Sequence, residues 1–82
     1  MSYKEGCVIV LFKEGVTENQ AENLIKSLGL DLENKRSKWH RMVVVKVPVG
    51  EEVEWVAEFK NHSIVKIAEL NIIHHLAKGE SR

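Results

Sequence analysis

Four apolar, β-branched runs and two helical stripes alternate along this chain in the order strand, helix, strand, strand, helix, strand. That order constrains the fold more than any other feature. Each strand–helix–strand half needs a crossover, and right-handed crossovers place both helices on one face of a single sheet. The expected architecture is α+β: a ferredoxin-like βαββαβ fold with a four-stranded antiparallel sheet and two helices on one face. The opposite sheet face is then left open to a partner. A chain of 82 residues has room for one such domain. Residues 1–77 are expected to form it, with 78–82 as a flexible C-terminal tail.

The elements follow from local patterns. CVIVLFK, bounded by Gly6 and Gly15, reads as a buried strand. Thr17 with Gln20 three residues on forms a capping-box signature, and Ala21, Leu24, Ile25 and Leu28 recur at helical spacing. With Gly29 as the C′ residue, the spacing predicts a helix over 18–28. LDLENKRSKWH reads as a second strand with a polar, edge-like end, and SKWHR as a hairpin tip. RMVVVKVP is a third strand closed by Pro48. VGEEVEWVAEFKNH is a second helix, with Glu51, Glu52 and Glu54 in its first turn and Lys60 near its end, as the macrodipole favours. Its inward set is expected to be Val53, Val56, Ala57 and Phe59, with Trp55 at the border. SIVKIAELNII is the fourth strand and HHLAKGESR a polar tail.

Composition removes several function classes. Twelve basic residues balance twelve acidic ones, which argues against a dedicated nucleic-acid binder. The basic stretch NKRSKWHR carries one tryptophan and reads as a solvated hairpin tip, with contact to an acidic partner or nucleic acid as the sharper alternative. No apolar run approaches the ~20 residues that span a membrane. The N-terminal run is too short for a signal peptide, so the chain is expected to be intracellular or a piece of a larger precursor. Cys7 is the single cysteine; it excludes an internal disulfide and reads as a packed, inert thiol.

Catalytic chemistry finds little support. No glycine-rich phosphate loop is present, and Glu51–Glu52 reads as the solvated first turn of a helix rather than a catalytic acid pair. His74 and His75 are adjacent, so on a continuing strand they point to opposite faces and do not chelate one ion. No cofactor or metal is expected, and the chain reads as a binding module rather than an enzyme.

Three phrases carry a resemblance. VIVLFKEGVTENQAENLIKSLG resembles the strand-to-helix opening of subtilisin propeptides and of proteinase B inhibitors. MVVVKVP resembles their third strand, and EWVAEFKNHSIVKIAELN their second helix, valine-ended loop and acid-bearing final strand. The likeness spans about residues 7–77. It implies binding to a subtilisin-like serine protease, with the open sheet face on two parallel enzyme helices and the C-terminal tail in the substrate cleft. It also implies assistance in folding that protease. The family's Glu-x-Asp pair, which caps the enzyme helices, falls here on Glu69 and Asn71; asparagine replaces an acid and is itself a good cap. The tail match is His74, His75, Leu76 and Ala77, entering the cleft as an added strand. His62-Ser63-Ile64 stands where the family usually has proline before valine, and the chain runs on past Ala77.

A second reading needs no protease. In MVVVKV, Val43 and Val45 point one way and Met42 and Val44 the other, so the strand is apolar on both faces. A regulatory or self-associating domain would use the same open face for a small ligand or to form a homodimer.

Overall fold

The computed structural model describes residues 2–33 and 39–73. The elements are β1 (Ser2–Phe12), α1 (Glu18–Ser27), β2 (Asp31–Leu32), β3 (Met42–Lys46), α2 (Glu52–Lys60) and β4 (Val65–Ile73). They form one four-stranded sheet in the order β2-β3-β1-β4, with every neighbouring pair antiparallel. This is the expected α+β, ferredoxin-like arrangement.

Helix α1 begins and ends as its sequence dictates. The Thr17 hydroxyl accepts from the Gln20 N–H at 3.2 Å, and the Gln20 side chain accepts from the Thr17 N–H at 2.9 Å. At the other end Gly29 has φ +78. Its N–H reaches the Lys26 carbonyl at 3.0 Å, and the Leu30 N–H reaches Ile25 at 3.1 Å, a Schellman closure that glycine makes without strain. Ala21 and Ile25 are buried, with Leu24 and Leu28 packed beside them.

The core lies between the helices and one sheet face. Val8, Val10 and Phe12 of β1, Val43 and Val45 of β3, and Val65 and Ala68 of β4 meet Ala21, Ile25 and Phe59 from the helices. Because both helices contribute to this one cluster, both cover the same face. Trp39 closes its edge: the indole N–H donates to the Val16 carbonyl at 3.0 Å, and the ring lies 6.1 Å from that of Phe12. Trp39 thus covers one edge of the core.

Three details differ from the sequence reading. Strand β1 starts at Ser2 rather than at Cys7, because residues 2 and 3 pair with the end of β4. Strand β2 is only two residues long. In α2 the inward stripe is Glu52, Val56 and Phe59, with Trp55 half-buried, while Val53 is 64% exposed and Ala57 faces solvent. The spacing 52, 56, 59 is as helical as 53, 56, 57, and the packing of Phe59 decides between them.

Truncating Phe59 to alanine is expected to lower the unfolding free energy by about 3–5 kcal/mol in urea denaturation. Val53→Ala should stay within about 0.5 kcal/mol of the parent. A larger loss at Val53 than at Phe59 would restore the face read from the sequence.

Candidate functional site

The two central strands are apolar on both sides, and the helices cover only one. Register sets the residues of the other side against each other: Ile9 against Val44 and Glu69, and Leu11 against Met42 and Ile67. Cross-strand partners share a face, so Ile9, Leu11, Met42, Val44 and Ile67 form one continuous apolar stripe over β3, β1 and β4. None of them belongs to the core cluster. Met42 is 45% and Ile67 41% exposed; Ile9, Leu11 and Val44 are half-buried by their strand neighbours. Among the described residues no helix lies over this stripe. A patch of this kind marks an interaction surface more often than an isolated exposed leucine does.

Two of the predicted site residues border the stripe. Glu69 is exposed beside Ile9, and Asn71, two residues on, shares its face and is half-buried. The Asn71 amide donates to the Cys7 sulfur at 3.6 Å across the β1–β4 pair. The thiol in turn lies 3.8 Å from the Lys4 carbonyl. Cys7 is 1% exposed, and burial pushes its pKa up while the Asn71 contact opposes, so the sulfur stays a thiol. His74, His75, Leu76 and Ala77, and the tail over 78–82, lie outside the described residues.

A residue the sequence reading placed in solvent is the most constrained polar group described. Glu52 is 1% exposed. One carboxylate oxygen accepts the Gly6 N–H at 2.7 Å and the other the Gly50 N–H at 3.0 Å. The Gly6 N–H holds the carboxyl below the usual glutamate range; the residue's own N–H and then Gly50 act the same way, and burial opposes them. The expectation of a solvated Glu51–Glu52 turn is therefore corrected for Glu52, whose helical spacing from Val56 and Phe59 turns it toward β1. That spacing, with a glycine two residues before it, was the available signal. Glu51 behaves as expected: it is exposed, and its carboxylate accepts the Trp55 indole N–H at 3.1 Å.

The remaining polar groups are dispersed. Among the described residues, no three histidine, cysteine or acidic side chains come together in a way that would hold a metal ion. His62, just past the end of α2, pairs with Glu58 of that helix at 3.2 Å, and His40 is exposed. A shallow groove of about 320 Å³ between Leu28 and α2, lined by Glu51, Glu54, Trp55 and Glu58, lies on the helical side, away from the stripe.

The sequence model of one family, described as the fervidolysin N-terminal prodomain, matches residues 1–71. No curated protein and no solved structure gives a significant match.

The depressed Glu52 pKa fixes the sign of an acid effect. Its contribution to stability is fully present above the unfolded glutamate value, about 4.3, and is lost as pH falls through the lower folded value. Melting temperatures followed by circular dichroism from pH 7 to pH 3 are expected to fall on the acid side. In Glu52→Gln the midpoint at pH 7 should be lower and its acid dependence shallower, whereas Glu51→Gln should track the parent. An unchanged acid slope in Glu52→Gln would remove the assignment.

Proposed function

The chain belongs to the fervidolysin N-terminal prodomain family, a family of subtilisin-like propeptides, and from that premise we propose that it binds a subtilisin-like serine protease, inhibiting it and assisting its folding. The observation that carries this reading is the uncovered stripe of Ile9, Leu11, Met42, Val44 and Ile67 on the face that also bears Glu69 and Asn71. The role is one of binding, and no residue of the chain is assigned a catalytic step.

The mechanism has two parts. The stripe docks against a pair of helices on the enzyme surface, removing its apolar area from water. Glu69 then meets the N-terminal ends of those helices, where unpaired backbone N–H groups and the macrodipole favour a carboxylate. Asn71 offers a neutral acceptor to the same donors. The second part is the chain beyond β4. His74, His75, Leu76 and Ala77 are proposed to lie extended in the substrate cleft, where main-chain hydrogen bonds add them as a strand and side chains fill successive subsites. A substrate-like strand presented from a docked body blocks the cleft. The same docked body offers a folding protease a preformed surface on which to assemble its helices.

The test is an inhibition titration against a broad-specificity subtilisin. The full chain is expected to inhibit, and a version ending at Asn71 to inhibit far less while remaining folded. Met42→Glu should weaken inhibition at least tenfold, about 1.4 kcal/mol. Its melting temperature should change little, because Met42 is already 45% exposed. Absence of inhibition by a folded full chain, with dimerisation in sedimentation velocity that Met42→Glu abolishes, would establish self-association through the sheet face instead.

A further inference from the structure

The pairing of strand β1 with β4 is interrupted, and the interruption is tied down by a distant carboxylate. The register steps from Tyr3 opposite Ile72 to Val8 opposite Leu70. Residues 4–7 of β1 therefore stand against the single Asn71 of β4, as an enlarged bulge. Gly6 lies inside it with φ +80, in the left-handed region that glycine enters without strain. Its two backbone groups are bound by the first residue of α2 and by the segment that joins β3 to α2. Its N–H donates to Glu52 at 2.7 Å, and its carbonyl accepts from the Val47 N–H at 3.0 Å. A side chain there would also meet Val49 at 3.5 Å.

Beyond the bulge runs a short arm. Ser2 and Tyr3 pair with Ile73 and Ile72, and Lys4 makes an ion pair with Glu33 at 2.6 Å. That pair is exposed and holds the arm weakly. Among the described residues, strand β4 is an edge strand whose only neighbour in the sheet is β1. The last two residues of β4 therefore have no β partner but the arm. Whatever fixes the arm fixes the direction in which the chain leaves the sheet at residue 73.

We propose that Glu52 is a positioning residue for the inhibitory contact: through Gly6 it sets the N-terminal arm, and the arm sets the course of the chain into the protease cleft. The proposal rests on the inhibitor reading above. A restraint of this kind raises affinity by removing conformations in which the docked body presents the following residues wrongly. Glu52 itself lies on the helical side of the sheet and does not touch the enzyme.

Three chains test it against subtilisin: the parent, Glu52→Gln, and a chain lacking residues 1–5 that keeps Glu52. At a temperature where circular dichroism shows all three folded, both altered chains are expected to inhibit at least about tenfold more weakly than the parent. The loss should vanish when each is compared in a version ending at residue 73, because only the sheet contact is then left. Hydrogen exchange in Glu52→Gln should quicken more in residues 2–4 and 71–73 than around Val10 and Ala68; a general loss of stability alone would quicken the core amides by as much. If the parent does not inhibit, the inhibitor reading falls and the proposal with it. If the parent inhibits and either altered chain matches it, the proposal alone is overturned. It is likewise overturned if the loss persists in the versions ending at residue 73.

Discussion

The carboxylate of Glu52 ties the first turn of α2 to the backbone of β1. It sits in the first turn of α2, yet its strongest partner is the N–H of Gly6 in β1. A buried charge without donors is excluded from a fold on solvation grounds. Here both oxygens are occupied by backbone N–H groups, and the N-terminal turn of α2 adds its own positive end. Each donor depends on glycine at a positive φ, so the geometry of the carboxylate and that of the two turns are mutually determined. From this point follow the start of α2, the bulge in β1 and the pairing at the far end of β4.

The sheet divides its apolar residues between two faces, and a chain of this size covers only one of them. The inward set is packed by two short helices. The outward set of Ile9, Leu11, Met42, Val44 and Ile67 gains nothing from the helices. Area that stays in water contributes no hydrophobic stabilisation, so the isolated domain holds less stability than its composition would allow. A partner over the stripe recovers that contribution and stabilises the folded chain by mass action. Under the proposed function, binding and folding are coupled through the same five side chains. In a propeptide-like domain, a body that gains stability on its enzyme is the physical counterpart of one that helps the enzyme fold.

Much of the fold was legible because local signals agreed with one another. Thr17 and Gln20 mark one end of α1 and Gly29 the other; Pro48 ends the third strand; the alternation in MVVVKV gives both faces of β3. The beginning of β1 was hidden because SYKEG is polar and contains a glycine, and its pairing depends on β4, some seventy residues away in sequence. The inward face of α2 was hidden because two sets of residues have helical spacing, and an acid belongs to the correct one. In the candidate site, Glu69 and Asn71 came only from the family resemblance, whose Glu-x-Asp pattern falls on them; the period of two along β4 then puts both on one face. Glu52 was not, because its burial depends on a backbone N–H that no side-chain pattern encodes.

Asn71 shows how one departure from a family pattern is accommodated by its surroundings. The resemblance places an acid at this position, and this chain has an amide. Opposite it, in the bulge of β1, Cys7 is 1% exposed, with the sulfur accepting from the Asn71 amide. Burial raises the thiol's pKa, so the group facing residue 71 is neutral. A carboxylate there would meet a weak S–H donor at best and would be partly stripped of water, the environment in which charge is least favoured. The amide supplies the donor that a carboxylate lacks and keeps its oxygen as an acceptor. Cys7 and Asn71 therefore belong together as a pair. Glu69 keeps an exposed acid on this face, and under the proposed function it is the group that meets a partner's helix ends.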